Sequence, residues 1–280
     1  MLRARHGDEV LAPSHDALDL TDARAVMRQA PATRPDAVVH AAIWNDPAGL
    51  ARDRRRAWDA YVGATRNVVD AANAAGAHVV LVSTDWVFDG TRHRADEAEP
   101  PNPINAYGFL KAASELVVAE RADRGAIARI SGVQGVHRAR PDTPRRQDAG
   151  FGYLVASLVD ALRAGRRFTV WDGRDINVVA TPTLATDAAE LIRRIIELRR
   201  VGVHHCCGGE AVTRVELARR AVAAFDLDPD LLDVGSPPPD ELAGAVPCDT
   251  SLDATATGAA LGVPPPCLDD QLRRLRAELG

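Results

Sequence analysis

The chain of 280 residues is poor in lysine, aromatic residues and cysteine. Lysine occurs once, at Lys111, and every other residue in the combined count of lysine and arginine is arginine. Aromatic residues make up 4% of the chain, which predicts a mostly aliphatic core. The net charge is −5, with both signs scattered along the sequence. This charge pattern does not favour nucleic acid or a membrane surface as a partner.

Long apolar segments and cysteine motifs are also missing. No apolar run approaches the ~18 residues of a membrane-spanning helix, and the charged start MLRARHGDEV lacks the apolar segment of a secretory signal. The four cysteines have neither disulfide-framework nor zinc spacing. Adjacent strand residues point to opposite faces, so HHCC at 204–207 is not expected to bind a metal. We therefore expect a cytoplasmic protein with reduced thiols.

Short segments rich in valine and isoleucine alternate with helical patterns. Strands are predicted at 8–12, 36–42, 77–84, 126–131 and 168–171, and helices at 21–30, 52–75 and 105–122. Several of these strands are apolar at consecutive positions, as in a parallel sheet that helices cover on both faces. The character of the sequence changes after about residue 135. The pattern predicts an α/β dinucleotide-type domain followed by a smaller substrate domain.

The single lysine lies four residues after Tyr107, within NAYGFLKAASE. This stretch has a helical pattern, so Tyr107 and Lys111 share one face of the helix. A tyrosine that exchanges a proton at neutral pH needs a stabilised phenolate, because its ordinary pKa is about 10. A nearby ammonium lowers that pKa and can also bind a ribose hydroxyl. We interpret the two residues as a catalytic pair; the alternative is an ordinary surface lysine.

Polar residues stand where the predicted strand 77–84 ends, at Ser83, Thr84 and Asp85. Ligands of open parallel sheets bind at the carboxyl ends of strands. A hydroxyl at that place can hydrogen-bond a substrate carbonyl and stabilise developing negative charge. A hydroxyl that merely caps the strand end is the other interpretation of this stretch.

Four motifs together carry a family resemblance: STDWVFDG from Ser83, NAYGFLKAASE from Asn105, TPT before Asp187, and SLD near the C-terminus. They resemble the extended short-chain dehydrogenase/reductase superfamily, and within it the dTDP-4-dehydrorhamnose reductase group. The resemblance implies a Rossmann-like, doubly wound parallel sheet that binds NAD or NADP in residues 1–134. Residues 135–280 would mainly form a smaller substrate-binding domain, with segments that return to the first domain.

The same resemblance implies the reduction of a nucleotide-linked 4-keto sugar. Tyr107 would donate a proton to the sugar oxygen, Lys111 would bind the nicotinamide ribose and lower the pKa of the tyrosine, and Thr84 would polarise the keto group. Asp85 and Trp86 would contact the substrate. A homodimer is left open. The cofactor would be lined by a larger set: Asp19, Leu20, Ala41, Ala42, Ile43, Ser83, Tyr107 and Lys111.

The N-terminus departs from the family pattern. The family begins with a strand and a glycine-rich turn that lets the backbone approach a pyrophosphate. Here the first strand and that turn are missing, and the first 60 residues contain only Gly7 and Gly49. Either the sequence begins inside a longer protein, or dinucleotide binding has been lost. The second explanation predicts a non-catalytic sugar-nucleotide-binding or regulatory protein on this fold. A sugar-nucleotide epimerase or dehydratase is a further alternative.

Other departures concern the substrate. Tyr61 stands where the family often has asparagine, Trp86 stands where it has tyrosine, and Gly132 stands where it has a tryptophan that stacks on the sugar. These differences predict a sugar pocket of altered shape. The arginines of the loop 137–150 could hold a diphosphate, although a solvated loop is the preferred interpretation.

Overall fold

The structure is a computed structural model that describes residues 7–136, 146–239 and 244–280. The strands are β1 (Ala37–His40), β2 (His78–Thr84), β3 (Gly125–Ile130), β4 (Val133–Gln134), β5 (Phe168–Trp171), β6 (Val179–Ala180), β7 (Thr183–Leu184), β8 (Gly202–His205), β9 (Val212–Thr213) and β10 (Leu232–Gly235). The α-helices are α1 (Ala23–Thr33), α2 (Pro47–Arg52), α3 (Arg54–Trp58), α4 (Ala64–Ala75), α5 (Ala106–Arg121), α6 (Leu154–Arg163), α7 (Ala185–Glu197), α8 (Arg214–Ala224), α9 (Thr255–Leu261) and α10 (Leu268–Leu279). A π-helical turn covers Asp59–Gly63, and 3-10 turns cover Asp85–Val87 and Pro229–Leu231. This alternation confirms the predicted α/β class.

The main sheet has the strand order β1-β2-β3-β8. β1 and β2 are parallel, with Ala37 opposite His78 and His40 opposite Leu81. Because β2 continues to Thr84, its carboxyl end extends beyond the end of β1. Polar residues that follow β2 therefore stand clear of the neighbouring strand.

An aliphatic core anchors helices α4 and α5 to the sheet. All residues of β2 except Val82 are buried, as expected for a strand covered on both faces. The core that they share is formed by Val69, Ala72, Ala77, Val79, Leu81, Val118 and Ile127. Burial of these side chains contributes about 25 cal/mol per Å² of apolar surface, which fixes α5 against β2.

The start of α5 is positioned by a cap and by a glycine. Asn105 precedes the helix, and its side-chain oxygen accepts a hydrogen bond from the backbone N–H of Gly108 at 2.8 Å. A Cβ at position 108 would overlap the carbonyl oxygen of Trp86 and lie 2.9 Å from the Cβ of Pro103. Glycine thus permits the first turn of α5 to lie against the turn that follows β2.

Two predicted elements differ from the structure. Residues 8–12 do not form a strand, because they have no hydrogen-bonded neighbour in the described part of the sheet, whose first strand is β1. The predicted helix 52–75 is divided into successive helical pieces. Asp53 ends α2 and caps α3, accepting a hydrogen bond from the N–H of Arg56 at 2.9 Å, which explains the break.

The chain divides into two compact units that interleave in sequence. The described residues of the first unit fall within 1–87, 100–129 and 189–204, and those of the second within 88–99, 130–188 and 205–280. The functional division at residue 134 remains a prediction. In the described part of the chain, every helix is too short or too polar to cross a membrane.

The second unit has a core of its own, to which α6, α8 and α10 contribute. Short strands pair around it: β4 with β7 and β5 with β10 in parallel, and β6 with β9 antiparallel. Arg214 is fully buried in this unit, where the carbonyl oxygens of Asp148 and Asn177 accept its N–H groups at 2.8 and 3.3 Å. Burial lowers the pKa of Arg214 to about 10.

Candidate active site

The carboxyl end of β2 carries a buried hydroxyl. Thr84 donates a hydrogen bond to the carboxylate of Asp85 at 3.1 Å and accepts one from the backbone N–H of Trp86 at 3.2 Å. Thr84 and Asp85 are buried, and Trp86 is half-buried. These bonds hold the Thr84 hydroxyl against the first two residues of the turn that follows β2. This is the edge of the sheet at which ligands bind in open parallel sheets.

Tyr107, at the start of α5, meets this strand end. A hydrogen bond links its phenol to Thr84, and its ring makes edge-on contacts with Tyr61 and Trp86 at centroid distances of 6.2 and 6.1 Å. Burial raises the pKa of Tyr107 to about 12; the bond to Thr84 lowers it in part, and the charge of Asp85 raises it. Tyr107 is therefore protonated at neutral pH, which suits a proton donor.

Lys111 lies one turn further along α5 and is buried. Its ammonium donates a hydrogen bond to the carbonyl oxygen of Val82 at 2.5 Å. Burial lowers the pKa of Lys111 to about 8, and the charge of Glu115 opposes that shift. The predicted lowering of the Tyr107 pKa is wrong for this structure, because burial of the phenol outweighs the favourable contacts and raises it.

A buried ion pair lies behind Lys111. Arg129 of β3 contacts both carboxylate oxygens of Glu115, with distances of 3.1 Å from Nε and 2.8 Å from Nη2. Ser83 donates its hydroxyl to the same carboxylate at 2.5 Å, although it was predicted to line a cofactor. Glu115 and Arg129 were not among the site residues predicted from the sequence. The available signal was the position of Glu115, four residues after Lys111 on the same helix.

His40 closes the site from the end of β1. Its Nε2 lies 3.1 Å from the hydroxyl of Thr65, and that hydroxyl donates to the carbonyl oxygen of Tyr61 at 2.7 Å. Since the hydroxyl hydrogen is used, Nε2 must carry the hydrogen, and Nδ1 is an acceptor. Burial lowers the pKa of His40 to about 4, with a further contribution from the charge of Lys111. His40 is therefore neutral at physiological pH.

The Nδ1 atom of His40 is a buried acceptor with no hydrogen-bond partner among the described residues. Leaving such an atom unpaired costs about 1–3 kcal/mol. The ammonium of Lys111 has three N–H donors, and one of them is directed at Val82. The hydroxyls of a ribose can both donate and accept hydrogen bonds. They therefore suit an acceptor such as Nδ1 of His40 and a group with several N–H donors such as the ammonium of Lys111.

Tyr61 lies beside Tyr107, in the position where the family often has asparagine. Its hydroxyl donates to the carbonyl oxygen of Trp44 at 3.1 Å, and burial followed by the neighbouring Tyr107 raises its pKa. The guanidinium of Arg56 in turn covers the ring of Trp44, with 4.3 Å between its carbon and the ring centroid. Tyr61 therefore adds a fixed aromatic wall to the site.

The remaining predicted cofactor residues lie in two segments. Asp19 is exposed, and its carboxylate accepts from the N–H and the hydroxyl of Thr21, both at 2.8 Å. The carbonyl oxygen of Leu20 accepts from the side-chain amide of Asn67 at 2.9 Å. The other segment, exposed and irregular, directly follows His40 and comprises Ala41, Ala42 and Ile43. Contact of both segments with a cofactor remains a prediction.

Two other sequence features bear on binding. Residues 137–145 of the arginine-rich loop lie outside the described residues, so its contact with a diphosphate remains a prediction. Within the described ranges, no group of three or more His, Cys, Asp or Glu side chains is arranged to hold a metal ion. In HHCC, the Nδ1 atom of His205 lies 2.8 Å from the carbonyl oxygen of Asp253, and Cys206 and Cys207 are buried.

Comparison with protein-family models matches residues 2–279 to the RmlD substrate binding domain. A dTDP-4-keto-6-deoxy-D-glucose reductase of Streptomyces niveus is 28% identical over 246 residues, which cover 87% of this chain and 78% of that protein. The methionine adenosyltransferase 2 subunit beta of Rattus norvegicus is 27% identical over 220 residues. That alignment covers 77% of this chain but only 62% of the rat protein.

Comparison with solved structures supports the same fold. The dTDP-4-dehydrorhamnose reductase of Bacillus anthracis, solved in complex with NADP, superposes with a TM-score of 0.80 at 23% identity. The superposition covers 95% of this chain and 89% of that one. The predicted Rossmann-like fold is thereby confirmed.

Proposed function

The chain belongs to the family defined by the RmlD substrate binding domain, and on this basis we propose that it is an NAD(P)H-dependent reductase of a nucleotide-linked 4-keto sugar. The observation that carries the proposal is the meeting of Tyr107 and Thr84 at the end of β2, with Lys111 one turn away. These are the residue types that reduction of a carbonyl requires: a proton donor, a hydroxyl for the oxygen, and a fixed cation.

In the proposed reaction, Tyr107 donates its phenolic proton to the carbonyl oxygen of the sugar. A pKa of about 12 keeps that proton in place until negative charge develops on the oxygen. Thr84 would turn its single hydroxyl hydrogen from Asp85 to the same oxygen and stabilise the charge that develops there.

The nicotinamide half of the cofactor site fits the residues present. Lys111 would hold the nicotinamide ribose through its remaining N–H donors, and the unpaired Nδ1 of His40 offers an acceptor for a hydroxyl or water nearby. A reduced nicotinamide, when bound, supplies the hydride. The chain itself binds, orients and supplies the proton. Contact of Asp19, Leu20 and the segment 41–43 with the cofactor is part of the proposal.

We infer a thymidine diphosphate 6-deoxy-4-keto sugar as the substrate class. The support is the activity in the name of the Streptomyces niveus relative, whose alignment covers 78% of its length. Asp85 and Trp86 are proposed substrate contacts, because they directly follow Thr84 at the strand end and both hydrogen-bond it. Tyr61, which packs edge-on against Tyr107, is proposed to limit the space beside the phenol.

Direct assay of the purified chain tests this proposal. NADPH and NADH are titrated against it, and oxidation of the bound cofactor is followed on addition of a dTDP-4-keto-6-deoxy sugar. We expect stoichiometric oxidation with formation of the 4-hydroxy sugar. Binding of neither cofactor to the folded chain would exclude the reductase activity. Binding without oxidation across several nucleotide-linked keto sugars would exclude the substrate class.

A non-catalytic subunit is the second candidate. The similarity to a protein named as the beta subunit of methionine adenosyltransferase 2 favours it. The chain spans 62% of the length of that relative. Co-purification with a catalytic partner, together with normal growth of a strain that carries Tyr107→Phe, would support a subunit. Loss of the reduced sugar in that strain would support the reductase.

A further inference from the structure

The structure contains a buried charge cluster that the proposed reaction does not use directly. It consists of Glu115 on α5 and Arg129 on β3, joined by Ser83, the residue before Thr84 on β2. Their relative exposures are 4%, 2% and 2%. Burying charged groups costs free energy, so we asked what this buried ion pair contributes to the site.

The geometry connects this cluster to Lys111 at two points. Glu115 lies one helical turn after Lys111 on α5, so both side chains are on the same face of the helix. On the opposing strand, consecutive residues contact the two side chains: Val82 accepts from the ammonium, and Ser83 donates to the carboxylate, each at 2.5 Å. The cation and the anion are thus each hydrogen-bonded to one of two adjacent residues of β2.

Arg129 fixes the carboxylate in this arrangement. Its two contacts, at 3.1 and 2.8 Å, engage both oxygens of Glu115 in a fork geometry. A carboxylate held in that way cannot rotate away from the helix face that it shares with Lys111. We propose that Glu115 is a positioning residue, held by Arg129 and Ser83, which keeps the Lys111 side chain charged and directed along α5. The binding of a cofactor by Lys111 rests on the proposed function. The effect of Glu115 on the charge of Lys111 does not.

The charged and titratable groups around Lys111 come from every element packed on it. Tyr107 and Glu115 are on α5, His40 is on β1, Arg129 is on β3, and Asp85 follows β2. His40 and Tyr107 are neutral near pH 8, because burial lowers the pKa of the first and raises that of the second. The charge of Glu115 favours the ammonium form of Lys111, and burial opposes it.

The single lysine of the chain makes the test specific. Protein labelled with ε-¹³C-lysine gives one side-chain resonance, and its chemical shift against pH reports the protonation of Lys111 without cofactor, substrate or turnover. The wild-type midpoint is expected at about 8, the pKa to which burial lowers Lys111. Glu115→Gln removes the charge with little change in shape, and its midpoint should fall by about one pH unit or more.

Arg129→Gln provides the opposite expectation. It leaves Glu115 with Lys111 as its remaining cationic neighbour in this cluster, so the midpoint should rise. A loss of structure would move both variants toward the ordinary lysine pKa of about 10.4, which is distinguishable by circular dichroism. Ser114→Ala is the matched control: its hydroxyl bonds the carbonyl oxygen of Leu110 on the same helix, and its midpoint should equal the wild-type value.

A milder variant protects the test against misfolding. Glu115→Asp keeps a carboxylate near Arg129 but withdraws it by one methylene, so the midpoint should fall by less than in Glu115→Gln. An unchanged or raised midpoint in either folded Glu115 variant overturns the proposal. Titration of NADPH into the same samples is read separately, so that failure of cofactor binding with the expected lysine shifts refutes only the proposed function.

Discussion

Replacement of Gly108 by alanine is the most direct perturbation of the active-site geometry. The added Cβ would overlap the carbonyl oxygen of Trp86, and a backbone oxygen cannot rotate out of the way. Alanine gains about 1 kcal/mol of helix propensity over glycine, whereas overpacking of this kind costs about 1–3 kcal/mol. We expect a net loss of up to about 2 kcal/mol in the free energy of unfolding, unless α5 moves outward.

Outward movement of α5 has its own consequence. Ordinary van der Waals contact requires a shift on the order of 1 Å, and α5 carries both Tyr107 and Lys111. A displacement of that size at reacting groups costs about 10²-fold in rate. Gly108→Ala should therefore lose about 10²-fold in kcat, even where the chain remains folded.

Gly63→Ala is the matched control for this experiment. A Cβ at Gly63 would meet its nearest atoms at 3.9 Å, and the backbone there is helical. This variant should be as stable as the wild type or up to about 1 kcal/mol more stable, with unchanged kcat. Urea unfolding and turnover of the keto sugar are measured for both variants. If Gly108→Ala behaves like Gly63→Ala in both assays, our account of how α5 is positioned is refuted.

Three further predictions concern titratable groups of the site. His40 has a folded pKa of about 4, below its unfolded value of about 6.5, so the unfolded chain binds the proton first as the pH falls. The free energy of unfolding should therefore fall by about 3 kcal/mol between pH 6.5 and pH 4. In urea unfolding, His40→Gln should not show this loss. Lys111 has a folded pKa of about 8, below about 10.4 in the unfolded chain, so the free energy of unfolding should rise by about 3 kcal/mol between these pH values. Lys111→Met should lack that rise. An identical pH profile in both proteins would contradict the lowering of the Lys111 pKa by burial. Tyr107→Phe should lower kcat by about 10²–10⁴-fold, while the Kd for NADPH stays within about threefold of the wild-type value. The control variant Tyr61→Phe should lower kcat by less than about tenfold. Equal kcat in Tyr107→Phe and the wild type would exclude proton donation by Tyr107.

The parts of the site that were predicted from the sequence depend on local geometry. Tyr107 and Lys111 share a helix face because they are four residues apart, and Thr84 ends a strand whose apolar pattern is clear. The meeting of Tyr107 with Thr84 follows from the general rule that sites form at strand ends. Helix α5 was predicted to within one residue at each end, because the sequence from Asn105 has a clear helical pattern.

The parts that were missed depend on contacts between distant segments. The ion pair of Glu115 with Arg129 requires β3 to lie beside β2, and spacing within α5 does not reveal it. The strand predicted at 8–12 failed for a similar reason, since a strand forms only with a neighbour. The direction of the Tyr107 pKa shift was wrong, because the proximity of a lysine in sequence says nothing about burial of the phenol.

We propose above all that the residues at the end of β2 reduce a nucleotide-linked keto sugar with a bound nicotinamide. A single-turnover experiment tests it most directly: the chain is saturated with NADPH and mixed with dTDP-4-keto-6-deoxyglucose, and loss of reduced-nicotinamide absorbance is followed. We predict oxidation of one cofactor per active chain, with the rate reduced about 10²-fold or more in Tyr107→Phe. Oxidation at the same rate in Tyr107→Phe, or no oxidation by a folded chain that binds NADPH, would contradict the account.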